Sequence, residues 1–409
     1  VPGRAAAWSL LQRTDVGLAA AVVVVVVLTG LLDSQHIYFT SPRPSAIDVL
    51  RQTALLGIFT LGAAIVIISG GIDLSSGSVI AFSGTTCAIL LLLLAPEEMI
   101  SNRPLSLGVI AAAIAGTLVV ALLIGSLHAW LITVVGLPPF VATLASLVGL
   151  RSLGRALIEN VTAAVASKSS QIQIFDDRFR YLATSVWVPV ALFLVLAALA
   201  WLLMSRTVVG RRLHALGGNE QAARLSGIQT DRLKWLAYVL SALASAVAGI
   251  LYIGEESVAD PSRQGVGYEL NAIAAAVVGG CSLRGGVGTI PGAVLGALFL
   301  RTVIDGVAKM IKTGADIYEG LIVGCVVVVA VAVTQLREAG RAGKQFFPGA
   351  LGLVNLFILA ALAGVLALLF SQKTWVGGVA ALAALAVLSL AAVLERRRER
   401  AAAGNPPGK

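Results

Sequence analysis

The stretch Leu216-Gly217-Gly218-Asn219-Glu220-Gln221-Ala222-Ala223-Arg224-Leu225-Ser226-Gly227-Ile228 sits in a basic loop between two apolar runs, 186–204 and 236–254. Each run is close to the ~20 apolar residues that cross a bilayer, so the polar segment between them reads as a loop at a membrane surface. Its residues predict a short helix. Gly217 and Gly218 permit a sharp turn, Asn219 is a good N-cap, Glu220 suits the positive end of a helix dipole, and Gly227 is a natural stop. A helix of about seven residues is well below the ~12–15 at which isolated helices become marginal in water, so this one needs something to dock against. Ala222 and Ala223 let a neighbouring backbone approach, and Leu225 suits a small apolar pocket. An ordinary loop with one capped turn fits the same residues.

Composition extends this reading to the whole chain. With 58% hydrophobic and 12% charged residues, the 409-residue chain departs from a soluble domain. It reads as an all-α polytopic membrane protein with no stretch polar and long enough to fold separately. Candidate spans run at 16–32, 50–69, 76–95, 107–135, 139–158, 186–204, 236–254, 270–283, 287–311, 317–335, 350–370 and 376–394. The span at 270–283 is short for a crossing.

Basic residues set the expected orientation. The loop at 205–235 carries Arg206, Arg211, Arg212, Arg224, Arg232 and Lys234, and the tail carries Arg396, Arg397, Arg398 and Arg400; both are expected in the cytoplasm. The stretch after 254 holds Glu255, Glu256, Asp260 and Glu269 against Arg263 and is expected outside. With Arg4 and Arg13 inside, Arg337, Arg341, Lys344 and both termini fall inside if 270–283 counts as a crossing or its equivalent. The net charge of +9 is then topology signal and contact with anionic lipid, not a nucleic-acid footprint. The first run, with Val22 to Val27, reads as a retained helix and not a cleaved signal.

Cys87, Cys281 and Cys325 lie in apolar runs and read as buried packing residues. His36, His128 and His214 are too scattered for a sequence-local metal site. The chain has no Gly-x-x-x-x-Gly-Lys-Ser/Thr, so it carries no P-loop of its own. Gly285-Gly286-Val287-Gly288-Thr289-Ile290-Pro291-Gly292 lacks the third glycine of a dinucleotide loop. Gly288, Gly292 and Gly296, spaced by four, are instead expected on one helix face for close packing.

Ser69-Gly70-Gly71-Ile72-Asp73-Leu74-Ser75-Ser76-Gly77-Ser78 breaks two apolar runs with a carboxylate and three glycines. Such a break cannot face lipid, so it lines a cavity or is buried in protein. Asp73 could cap the following helix through N–H groups near Ser75 and Ser76, or touch substrate or a gate; the two roles are compatible.

The chain resembles the permease subunits of bacterial ABC importers for ribose, xylose and related monosaccharides, from about residue 45 to about 335. The resemblance rests on Ser69 to Ser78, on Gly210-Arg211-Arg212 followed by Ala215 to Ile228, and on Gly267-Tyr268-Glu269-Leu270-Asn271-Ala272 leading to Gly279-Gly280 and Gly285 to Gly288. It implies about ten core transmembrane helices of the ribose-type (type II-like) permease at 1–347, with a further hairpin and basic tail at 348–409. It also implies a bacterial inner-membrane location, a second permease subunit (identical or not), a cytoplasmic ABC ATPase holding ATP and Mg, and an extracytoplasmic sugar-binding protein. This chain would hold no cofactor and do no covalent chemistry. Gly217, Gly218, Asn219, Glu220, Ala222, Ala223, Leu225, Ser226 and Gly227 would form the coupling helix in an ATPase groove. Asp73, Ser75, Ser76, Glu269 and Asn271 would lie near the pathway or its gates. The chain departs from the family pattern at Ile304-Asp305-Gly306, with Lys309 and Lys312 beyond, and in its C-terminal hairpin. Nucleoside or inositol importers share this organisation. A secondary transporter would also explain the spans and Asp73, though not the capped helix in the basic loop; a membrane enzyme would need a convergent acid, base and nucleophile that the loops do not offer.

Overall fold

A computed structural model describes residues 14–33, 35–165, 167–310, 320–321, 323–326, 328, 349–371 and 374–403. The expected span at 317–335, Arg4, Arg13, Lys312 and the basic residues Arg337, Arg341 and Lys344 lie outside the described residues, wholly or nearly so. The described residues are helical, with one pair of two-residue strands among them, β1 (Ile172–Gln173) and β2 (Val258–Ala259), antiparallel with Ile172 opposite Ala259.

The chain divides into two units, Val1–Val331 and Ala332–Lys409. In the first, α1 is Thr14–Leu32, α2 Ile37–Thr40, α3 Pro42–Ile68, α4 Ser76–Leu94, α5 Pro96–Ile100, α6 Leu107–Thr133 and α7 Pro139–Val165. There follow α8 (Asp177–Thr184), α9 (Trp187–Arg206), α10 (Val208–Gly218), α11 (Glu220–Leu225), α12 (Thr230–Glu256), α13 (Tyr268–Val278) and α14 (Ile290–Met310). Among the described residues, seven helices, α3, α4, α6, α7, α9, α12 and α14, are long and apolar enough to cross a membrane. Local chemistry sets several of their ends. Ser106 Oγ accepts from Val109 N at 3.2 Å to start α6, Asp176 caps α8 through Phe179 N at 2.7 Å, and Pro138-Pro139 opens α7.

The core is organised around α12. Lipid offers apolar side chains as good a home as protein, so helices in a membrane associate by close packing, and small residues decide where. A Cβ at Gly62 of α3 would lie 2.7 Å from Ser241 Cα, and one at Gly125 of α6 2.6 Å from Val239 Cα. At Gly249, a Cβ would collide with the Ile80 carbonyl of α4. These notches seat three helices on α12, whose residues from Ala237 to Gly254 are mostly buried.

The segment at 270–283, short for a crossing in the sequence, is a half-length helix. α13 has 11 residues, about 16 Å at 1.5 Å per residue, half of a ~30 Å hydrocarbon core. Tyr268 stacks on Phe59 of α3 with ring centroids 5.8 Å apart, while Gly286, in the turn after α13, donates its N–H to Ile68 O at the end of α3 at 2.8 Å. The segment therefore runs beside the last part of α3 as a half-length helix completed by a glycine-rich turn. Cys325 is corrected: Cys87 and Cys281 are buried, but Cys325 is exposed on the chain's surface.

Among the described residues, the second unit holds two long helices, α15 (Gly349–Ser371) and α16 (Thr374–Ala403). They touch at glycines: a Cβ on Gly377 would lie 2.8 Å from Gly364 O. At 30 residues, about 45 Å, α16 is longer than a bilayer core and carries Arg396 to Arg400 on its final turns.

Candidate functional site

The break after α3 is built by its own residues. Gly70 takes φ +85°, a conformation that ends the helix and that a side chain would disfavour. The chain then passes without regular secondary structure to Asp73, which is 4% exposed. Asp73 Oδ1 accepts from Ser75 N at 2.8 Å and from Ser75 Oγ at 2.5 Å, while Oδ2 accepts from Ser241 Oγ of α12 at 2.7 Å. Its carboxylate thus turns the backbone onto Ser75, which is itself the residue before α4, and ties that turn to α12. The expected acceptance from an N–H near Ser75 therefore forms, at the N-cap residue one position before the first residue of α4. Ser75 and Ser76 are also fully buried, and Ser76 Oγ has no partner among the described residues.

Around Asp73 lies a buried polar layer that the sequence reading did not assemble. Thr143 of α7 accepts from Leu74 N at 3.1 Å, Ser78 donates to Ser75 O at 2.8 Å, and Tyr238 donates to Ile72 O at 3.4 Å. His128 of α6, 1% exposed, sits 2.7 Å from Ser146 Oγ through Nε2 and packs edge-on to Tyr238. The available signal was the recurrence of single hydroxyls in apolar runs, which have to find partners inside a membrane.

Glu269 and Asn271 lie in the first turn of α13 and are buried. Glu269 packs so closely on α4 that a Cβ at Gly77 would collide with its carboxylate. Beside it is a cavity of about 280 Å³ lined by Arg151, Ser152, Arg155, Val266, Gly267 and Glu269. Arg151 donates to Pro261 O at 3.1 Å and Gln264 O at 2.8 Å, which pins the stretch before α13 to α7.

Asp305 and Lys309, where the sequence departs from the family pattern, form an ion pair of 2.5 Å, and Tyr38 donates to the same Asp305 oxygen at 2.5 Å. With both side chains 13% exposed, they clamp α14 to the short α2.

One expectation for the loop at 205–235 is corrected. Gly217 and Gly218 are the last residues of α10 and make no turn; Thr207 caps that helix by accepting from Gly210 N at 3.1 Å. The short helix α11 does carry the Asn219 cap, which accepts from Ala222 N at 3.0 Å, and Gly227 ends it with φ +79°. However, α11 docks partly on its own chain: Ala223 is buried at 4% exposure, and Glu220 pairs with Lys234 of α12 at 2.6 Å. Leu225 is 90% exposed, beside exposed Gln221, Ala222 and Ser226.

The glycines after α13 are corrected in one respect. Gly292 and Gly296 lie on α14 against α13, where a Cβ would collide with Gly279 O and Ala275 O. Gly288 lies before the helix, facing Ile68 and Cys281, because α14 begins only at Ile290.

A short capped helix beside a buried polar break, in a bundle of membrane-length helices, is the build of a polytopic membrane protein. The family to which the chain belongs is that of branched-chain amino acid transport system permease components, which matches residues 45–331. Similar proteins include a probable ABC transporter permease of Sinorhizobium fredii, 33% identical over 80% of this chain and 91% of the relative. The ribose import permease of Escherichia coli K12 is 32% identical over 81% of this chain and 95% of its own length. The xylose transport system permease of the same strain is 29% identical over 74% and 87%. No solved structure matches the chain.

Proposed function

We propose that this permease forms the translocation pathway of an ATP-driven importer of a ribose- or xylose-like monosaccharide. The observation that carries the reading is the exposed face of α11, Gln221, Ala222, Leu225 and Ser226, on a helix whose other side is anchored by Ala223 and the Glu220–Lys234 pair. An exposed leucine on a capped, braced helix suits a groove in a soluble partner, here a cytoplasmic ABC ATPase that binds ATP and Mg. The likeness to ribose and xylose permeases over most of the chain supports the sugar class. A second permease subunit would complete the pathway, and an extracytoplasmic sugar-binding protein would deliver substrate. The arginines of 205–235 support a cytoplasmic position for that loop, and the reading takes both termini to be cytoplasmic as well, with the chain in a bacterial inner membrane. Asp73, Ser75, Ser76, Glu269 and Asn271 would act at gates of the pathway; all five are buried in this conformation. The test is reconstitution in vesicles with the ATPase and binding protein, with uptake of labelled ribose and xylose followed. Uptake is expected only with ATP and all partners. Sugar movement by the chain alone would overturn the reading.

A further inference from the structure

Three segments far apart in sequence meet at the inner end of α3 with no side chain between them. A Cβ added at Gly217 would collide with Ile68 O, lie 2.5 Å from Gly286 N and 3.0 Å from Gly70 N. One at Gly285 would lie 2.6 Å from Gly217 O and 2.7 Å from Gly70 Cα, and one at Gly286 would lie 2.7 Å from Gly218 Cα. Gly286 N–H donates to Ile68 O at 2.8 Å, so the contact includes a backbone hydrogen bond, not only proximity. Gly70, Gly285 and Gly286 have φ of +85°, +83° and +74°, so at each of them a side chain would be strained as well as crowded. His214 of α10 bridges the same elements, its ring nitrogens 2.9 Å from Gly210 O and 3.3 Å from Gly288 O. Leu213 and Leu216 of α10 share a buried apolar cluster with Ile67, Ile68 and Cys281.

We propose that this glycine junction is the mechanical joint of the permease: displacement of α10 and α11 is passed by direct backbone contact at Gly217 to the Ile68–Asp73 break and, through Gly286, to α13. The short α11 is then only the handle. Backbones in van der Waals contact transmit a push without the slack of rotating side chains, because close-packed interiors shift between discrete arrangements and do not deform continuously. The far end of the push is Asp73, three residues beyond Gly70, whose bond to Ser241 links the break to the central α12. The proposal rests on the docking of an ATPase at α11, and the experiments separate the two.

Hydrogen exchange on the reconstituted wild-type transporter, with and without a non-hydrolysable ATP analogue, reads the joint without any variant. Exchange in 216–228, 69–75 and 284–288 is expected to change together on nucleotide binding. A change in 216–228 alone overturns the joint and leaves the docking reading standing; no change in 216–228 overturns both. Variants test the same point. Gly217→Ala is expected to copurify with the ATPase at wild-type ratio, yet lose at least tenfold in sugar uptake and lose stimulation of ATP hydrolysis by loaded binding protein. Gly149→Ala, whose methyl meets open space, is the control and is expected within twofold of wild type. Wild-type uptake by Gly217→Ala overturns the joint. Loss of ATPase copurification in Leu225→Asp, but not in Gly217→Ala, shows docking and transmission to be separate steps; if Leu225→Asp keeps the ATPase, the docking reading fails. If Gly217→Ala does not accumulate in the membrane, the exchange experiment alone decides.

Discussion

Replacing Asp73 tests what its carboxylate does. It accepts three hydrogen bonds, from Ser75 N, Ser75 Oγ and Ser241 Oγ, in a site 4% exposed. Asp73→Ala leaves all three donors without this partner. The two hydroxyls can rotate toward other acceptors, but the Ser75 N–H cannot, and an unpaired buried donor costs about 1–3 kcal/mol. Adding the cross-helix bond to Ser241 brings the loss to roughly 2–5 kcal/mol. Asp73→Asn keeps an oxygen for Ser75 N–H, and its amide can donate to Ser241 Oγ, which turns to accept. It exchanges charge-assisted bonds for neutral ones, a loss of about 1 kcal/mol. The two variants should therefore differ by about 1–4 kcal/mol. Thermal unfolding of the detergent-purified chain reads this difference, and uptake in the reconstituted system reads function. Equal destabilisation by Asn and Ala would refute the hydrogen-bond reasoning. Equal loss of uptake with unchanged stability would assign Asp73 to the gate by its charge. A double-mutant cycle with Ser241→Ala should show a coupling of about 0.5–3 kcal/mol, as expected for groups in direct contact.

Gly292→Leu should cost assembly or folding and leave sugar preference alone, because its Cβ would collide with Gly279 O; normal yield with a changed substrate range, measured by competition uptake, would contradict this. Breaking the Asp305–Lys309 pair with Lys309→Met should destabilise by up to about 3–5 kcal/mol in a thermal assay, and adding Asp305→Leu should recover part of it. Ala223→Glu should reduce folded yield, since Ala223 is buried within the chain, whereas Leu225→Asp should leave yield unchanged. Size-exclusion profiles distinguish these last two, and identical profiles would remove the basis for treating Leu225 as the docking side.

Much of this protein is decided locally. Long apolar runs leave a backbone in lipid no option but helix, so the membrane class, the long helices α3, α4, α6, α7, α9, α12 and α14 and the cap at Asn219 follow from residues close in sequence. The breaks at Gly70 and Gly227 follow for the same reason, since both need a left-handed residue. What neighbouring residues cannot carry is which backbone passes which. Gly217 reads as a turn and is in fact the notch where α10 meets Ile68 and Gly286. Gly288 shares a four-residue spacing with Gly292 but lies outside the helix that would give the spacing meaning. Ala223 and Leu225 look equally suited to a partner, and only the placement of α12 decides that one faces inward and the other outward. Asp73 finds Ser241 across the fold because a buried carboxylate must find donors, and which donors is set by the glycine notches that bring α3, α4 and α6 onto α12.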